Sequence, residues 1–245
     1  MNKNFYNILF YTILIMGYAV FAILMSRAYK EVDRQSVSNL FSERSPTIII
    51  DPGHGGEDDG AVAEGGKVSE KDLNLEISKI LRDMFKSSGF NVEMTRDTDI
   101  SIYDRDKNLK SLSEKKTSDL NNRVKIAQNN PNSVLISIHQ NSHPDKFSKG
   151  TEIFYSPNNK LSEEFAFCLE KIFKKIQPNN KREVKNSKNF IFILKKVTIP
   201  AVMVECGFIS NYKELLKLKN FDYQKQIAFC IYCAYVEYCN NFYFH

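Results

Sequence analysis

The sequence predicts an α/β fold built on a mainly parallel sheet. Two observations carry that expectation. Between residues 47 and 239, short runs of β-branched and aliphatic residues alternate with longer stretches of helical periodicity, the signature of successive βαβ units. The first run, "IIIDPGHGG" at residues 48–56, stops at Pro-Gly and sets His54 just past the C-terminal end of a strand. That is where open α/β sheets hold their ligands.

The elements follow in chain order. Residues 47–51 make the first strand, apolar enough to be buried on both faces. Gly53 to Gly66 is a glycine-rich, acidic loop. Ser69-Glu70-Lys71-Asp72 resembles a capping box, and Leu73, Ile77, Ile80, Leu81 and Met84 then mark one face of a helix that Gly89 stops. Phe90, Val92 and Met94 alternate as a strand. Asp97 to Thr117 is polar and is expected to be a surface loop. A helix is expected over 119–129, ended by Asn130-Pro131, and a buried strand over 134–138. Another strand covers 151–155. Leu161 to Ile176 is an amphipathic helix, Phe190 to Leu194 and Ala201 to Val204 are expected strands, and Tyr223 to Cys239 is a long apolar helix.

Three blocks organise the chain. Between Lys3 and Arg27 lie 23 uncharged residues, and Ile8 to Met25 is almost wholly apolar. That length suits a tilted membrane span. The one small-x-small cleavage candidate, Ser26-Arg27-Ala28, carries an arginine at its centre, so residues 1–27 are read as a membrane anchor or uncleaved signal. Basic residues flank the run on both sides, which leaves orientation to be set by function. Residues 28–46 are a polar linker, and residues 47–245 are long enough for one core and one domain.

Hydrophobic residues are 42% and charged residues 26% of the chain, and the formal net charge is +5. The excess is local: Lys171 to Lys196 holds nine Lys/Arg against the single acid Glu183. A solvated helix face explains this, as does a surface that attracts an anionic polymer or lipid head groups. No nucleic-acid-binding motif accompanies it. Five cysteines, an odd number in apolar surroundings, argue against a disulfide framework. Cys230-x-x-Cys233 falls in a helical stripe, as buried small residues do. No Gly-Lys-Ser/Thr follows the glycine loop, so a P-loop is excluded.

The candidate chemistry lies at element ends. His54 follows the first strand, His139 ends "VLISIH", Glu205 ends "AVMVE" and Glu70 opens the first helix. Two histidines and a carboxylate form a catalytic zinc ligand set with a position left for water, and a further carboxylate supplies a general base. Only four histidines exist. His245 is terminal, and His143, in "NSHPD", competes with His139 as a ligand. Taken alone, Glu70 is explained by the helix dipole at its first turn.

At these residues the sequence resembles the zinc-dependent N-acetylmuramoyl-L-alanine amidases, the amidase_3 family. The matching stretches are "IIIDPGHGGEDDGAV", "EKDLNLEI", "LNNRVKIA", "SIHQNSHPD", "KGTEIFY" and "PAVMVECGFISN", in the family's order. The resemblance implies a mixed, mostly parallel sheet flanked by helices on both faces in a single domain. It implies Zn2+ bound by His54, Glu70 and His139, with Glu205 as the catalytic carboxylate. The substrate would be peptidoglycan, cut between the lactyl group of N-acetylmuramic acid and L-alanine. "SEKKTSDLNNRVKIA", the anchor and the chain length resemble the spore-cortex members. These prepare muramic-δ-lactam with a muramic acid deacetylase acting afterwards. The domain would then be extracytoplasmic, held at the cytoplasmic membrane by its N-terminal segment or secreted. Two other readings stay open: another zinc peptidase acting on peptidoglycan, and a non-catalytic peptidoglycan-binding protein with the same fold.

Overall fold

The computed structural model describes residues 16, 20–21, 23–27, 45–188 and 190–243. The chain divides into two units, Met1–Glu43 and Arg44–His245. In the first, the described residues are helical and exposed. The anchor expected over 1–27 and the linker over 28–46 lie largely outside the described residues, as does His245. Among the described residues, no helix is long and apolar enough to cross a membrane.

The second unit is organised by β1 (Thr47–Pro52), whose Ile48, Ile49 and Ile50 are fully buried. A strand buried on both faces has no polar side to show, hence the unbroken apolar run. Around it stand β4 (Val92–Met94), β5 (Ser133–Asn141), β8 (Ala201–Phe208), β6 (Glu152–Tyr155) and β7 (Lys185–Asn186), in the order β4-β1-β5-β8-β6-β7. All neighbours are parallel except β6 and β8, so the sheet is mixed and mostly parallel, as expected. β2 (Val62–Ala63) and β3 (Val68–Ser69) form a separate antiparallel pair.

Helices cover both faces. On one, α1 (Glu70–Ser87) and α3 (Lys160–Ile176) both pack against α6 (Phe221–Phe242). On the other, α2 (Leu112–Gln128) packs against α4 (Phe192–Lys196). There Ile49, Leu135, Ala201 and Met203 of the sheet share one apolar cluster with Ala127, Ile193 and Leu194. Side chains alternate across a strand, so Ile48, Ile50, Val134, Ile136, Val202 and Val204 face the α1, α3 and α6 side. Aromatic rings seal that side: Phe85 meets Tyr235 edge-on at 5.2 Å and Phe165 stacks on Tyr238 at 4.9 Å. Each such ring pair adds about 0.5–1.5 kcal/mol beyond area burial. The Tyr235 hydroxyl donates to Pro46 O at 3.3 Å, so its polar end is satisfied. A short α5 (Tyr212–Leu218) links β8 to α6.

Four local expectations are corrected. Residues 112–117 are helix, not loop: Ser111 and Glu114 form a reciprocal capping box that starts α2 early. The run at 190–194 is not a strand. It leads into α4, whose buried Ile193 and Leu194 cover the sheet face. Ser69 does not cap α1 either. Its hydroxyl donates to the Asp72 carboxylate at 2.5 Å, while Glu70 N and Lys71 N donate to the loop carbonyls of Ala61 and Asp59. The helix start is thereby tied to the glycine loop rather than to its own cap. Finally, Tyr212–Leu218 was not anticipated; Asn211 caps it by accepting from Lys213 N and Glu214 N. All five cysteines are free, and Cys206 is fully buried.

Candidate metal centre

The chain leaves β1 at Pro52 and bends hard. Gly53 has no side chain because none fits: a Cβ there would lie 2.2 Å from the His139 ring. His54 adopts φ +62, a left-handed conformation that costs a non-glycine residue about 1–3 kcal/mol and persists only where its surroundings impose it. Two buried arginines impose it. Arg96 donates from Nε to Pro52 O (3.0 Å) and from a terminal nitrogen to Gly53 O (2.9 Å). Arg123 donates to Pro52 O (2.8 Å) and His54 O (2.7 Å).

Arg123 is itself held by carboxylates. It pairs with Asp51 of β1 at 2.7 Å and with Asp119, one turn back on α2, at 2.6 Å. Burial pushes the Asp51 carboxyl up, but the Arg123 charge and the Thr95 and Ser137 hydroxyls outweigh it and hold the pKa below its ordinary value. Removing one member of such a network strands a buried charge. Arg123→Met is therefore expected to destabilise the chain by about 3–5 kcal/mol, read as a lower urea midpoint. A loss under about 1 kcal/mol, the range of an exposed pair, would show that the network does not hold the loop.

His54, Glu70 and His139 converge, each offering one ligand atom within 4.8 Å of the others. Glu70 Oε1 lies 3.3 Å from His54 Nε2 and 2.9 Å from His139 Nδ1. Zinc bonds of about 2.0–2.1 Å in a tetrahedron place ligand atoms roughly 3.3 Å apart, so these edges fit zinc. The donor set of two imidazoles and a carboxylate fits it too. Contacts behind the cluster fix these side chains. His54 Nδ1 bonds Asp58 Oδ2 at 2.8 Å, which leaves Nε2 for the centre. Glu70 Oε2 accepts from Ala61 N at 2.9 Å, and its Oε1 from Gln140 N at 3.1 Å. Gly60 lies over this carboxylate, where a Cβ would come within 2.6 Å of Oε2. Burial opposes a charged His54, yet the Asp58 and Glu70 carboxylates raise its pKa to about 9. Glu70 is likewise opposed by burial and is held well below the carboxylate range by the two histidines.

Glu205 stands one strand away, in register with His139 across β5 and β8. Its Oε2 is sheltered from solvent and has no hydrogen-bond partner among the described residues. Burial pushes its pKa up to about 7, with His139 opposing and the Glu70 and Glu152 carboxylates reinforcing. On its other side, Glu152 of β6 is in register with Glu205. Glu152 is buried and paired with Lys185 and, at 3.2 Å, with Arg182.

All four residues singled out in the sequence thus meet at the C-terminal edge of the parallel strands. His143 does not join them. It is exposed, and its Nδ1 accepts from Asp145 N at 3.1 Å. Glu70 does open α1, but its side chain faces the two histidines. Asp58, Arg96, Arg123 and Glu152 were not anticipated. The basic stretch from 171 to 196 is dispersed: Lys171 pairs with Glu237, Lys174 with Glu170, and Arg182 and Lys185 with Glu152.

Known proteins are similar to this chain in sequence and fold. The family model described as Amidase_3, N-acetylmuramoyl-L-alanine amidase, matches residues 48–235. The germination-specific N-acetylmuramoyl-L-alanine amidase of Bacillus subtilis is 35% identical over 191 residues, covering 78% of each chain. The CwlD amidase from Clostridioides difficile, solved in complex with the GerS lipoprotein, superposes with a TM-score of 0.76 at 38% identity, over 80% of this chain and 100% of that one. The catalytic domain of CwlV, an N-acetylmuramoyl-L-alanine amidase from Bacillus (Paenibacillus) polymyxa, gives 0.66 at 31% identity, over 80% and 98%. The matched region takes in β1, the histidine loop, and both strands that carry His139 and Glu205, and this chain belongs to the Amidase_3 family of N-acetylmuramoyl-L-alanine amidases.

Proposed function

We propose that this amidase is zinc-dependent and cleaves the amide between the lactyl group of N-acetylmuramic acid and L-alanine in peptidoglycan. In this reading His54, Glu70 and His139 bind the metal and Glu205 is the catalytic carboxylate. The observation that carries it is a partnerless carboxylate oxygen of Glu205 one strand from a three-ligand cluster with zinc-like spacing. When bound, zinc supplies Lewis-acid polarisation of the amide carbonyl and lowers the pKa of water. The chain's own residues do the rest. Asp58 fixes the ring of His54, and the two arginines fix its backbone. Glu205 accepts the proton of the attacking water and delivers it to the leaving nitrogen. A group whose pKa lies near 7 is suited to both transfers.

The purified full chain, supplied with zinc and defined muropeptides, is expected to release peptide-free glycan and a peptide with a free L-alanine amino terminus, seen by mass spectrometry. Cleavage between amino acids instead would overturn the amidase bond assignment. The Bacillus relative is named germination-specific, and we propose that this chain acts in the spore cortex, ahead of muramic-δ-lactam formation and a deacetylase. Residues 1–27 are proposed to anchor the catalytic domain, residues 47–245, outside the cytoplasmic membrane. The full chain should sediment with membranes and a chain lacking residues 1–27 should not; sedimentation of both would refute the anchor.

A further inference from the structure

A cleft of about 720 Å³ is lined by Lys149, Lys181, Arg182, Lys217 and Tyr223 among others. Its one acid, Glu214, is buried and committed to the backbone, accepting from Gly150 N at 2.8 Å. Arg182 is engaged by Glu152. Lys149, Lys181 and Lys217 are exposed, and none has a carboxylate partner among the described residues. Lys217 Nζ lies over the Tyr223 ring at 5.9 Å, and a concave wall with three ammonium groups unpaired with carboxylates attracts carboxylates.

The place of the cleft says which carboxylates. Across the sheet edge the order is metal cluster, Glu205, Glu152 and then Arg182, through β5, β8 and β6. A group that protonates the leaving amine lies on the leaving-group side of the scissile bond. The peptide therefore departs on the Glu205 side, away from His54. Arg182 joins that side to the cleft, because it both pairs with Glu152 and lines the wall, while Lys149 and Gly150 lead directly into β6.

We propose that this cleft holds the acidic peptide released from the lactyl group, with Lys149, Lys181 and Lys217 recognising its free carboxylates. The proposal rests on the amidase reading for the direction of the peptide. It gives a use to Lys181, within the basic stretch that the catalytic chemistry left unexplained.

The test uses the product peptide and needs no turnover. The detergent-solubilised full chain is titrated by fluorescence anisotropy with an L-alanine-initiated acidic stem peptide, and with the same peptide amidated at every carboxyl. The acid form is expected to bind about tenfold more tightly, the sum of three exposed charge pairs. That ratio should collapse toward one in a Lys149→Gln/Lys181→Gln/Lys217→Gln variant, and in the wild-type chain at about 0.5 M salt. Equal affinities for acid and amide, or a triple variant that keeps the full ratio, would overturn the proposal. Discrimination between the two peptides without muropeptide hydrolysis would instead refute the amidase reading and leave the cleft's preference standing.

Discussion

Glu205→Gln is expected to lower turnover of a muropeptide by about two to four orders of magnitude, the contribution of a positioned general acid–base, in a chain that still takes up zinc and folds. The substitution preserves size. It breaks no hydrogen bond at Oε2, because that atom has no partner to lose. What it removes is the capacity to take a proton. Burial pushes the Glu205 pKa up to about 7, against the pull of His139; a carboxylate can accept and return a proton, and an amide cannot. Affinity for uncleaved muropeptide should change little, which places the loss in kcat rather than KM. Near-normal hydrolysis by a zinc-loaded Glu205→Gln chain would sink the assignment. Loss of zinc along with activity would move Glu205 into the ligand set and reopen the role of Glu70.

How much of this was legible in the sequence varies with the kind of signal involved. His54, His139 and Glu205 were legible because each ends an apolar strand-like run, where a polar residue stands out and where parallel sheets gather ligands. α2 was half missed because its buried face is ionic: Asp119, Arg123 and Ala127 are its buried positions, so no apolar stripe announces it. The same fact hid the support of the His54 loop. Arg123 and Asp51 are 72 residues apart, and single-sequence periodicity carries nothing about such a pairing. The run at 190–194 was misread because short apolar runs do not distinguish strand from helix. Glu152 alternates correctly in its strand, and only the antiparallel register that sets it opposite Glu205 gives it meaning.

His54→Ala and His139→Ala are each expected to strip the chain of zinc and of measurable amidase activity. Either substitution leaves two protein ligands where three converge within 4.8 Å, below the three protein ligands of catalytic zinc sites. Loss of a residue that only orients a ligand costs about 10–100-fold in metal affinity. That is the expectation for Asp58→Asn, since Asp58 touches the metal cluster only through His54 Nδ1. The two histidine variants should fall beyond that range, with zinc measured by elemental analysis after dialysis. Their urea midpoints check the fold independently, because His139 also packs against Gly53. His143→Ala should retain full zinc and activity, since its ring is exposed and its Nδ1 is occupied by the Asp145 backbone. The graded order, total loss at His54 and His139, partial loss at Asp58 and none at His143, separates ligation from general electrostatics. A site that merely attracted cations would lose as much at Asp58, a carboxylate, as at a histidine. Stoichiometric zinc in either His54→Ala or His139→Ala would remove that residue from the ligand set.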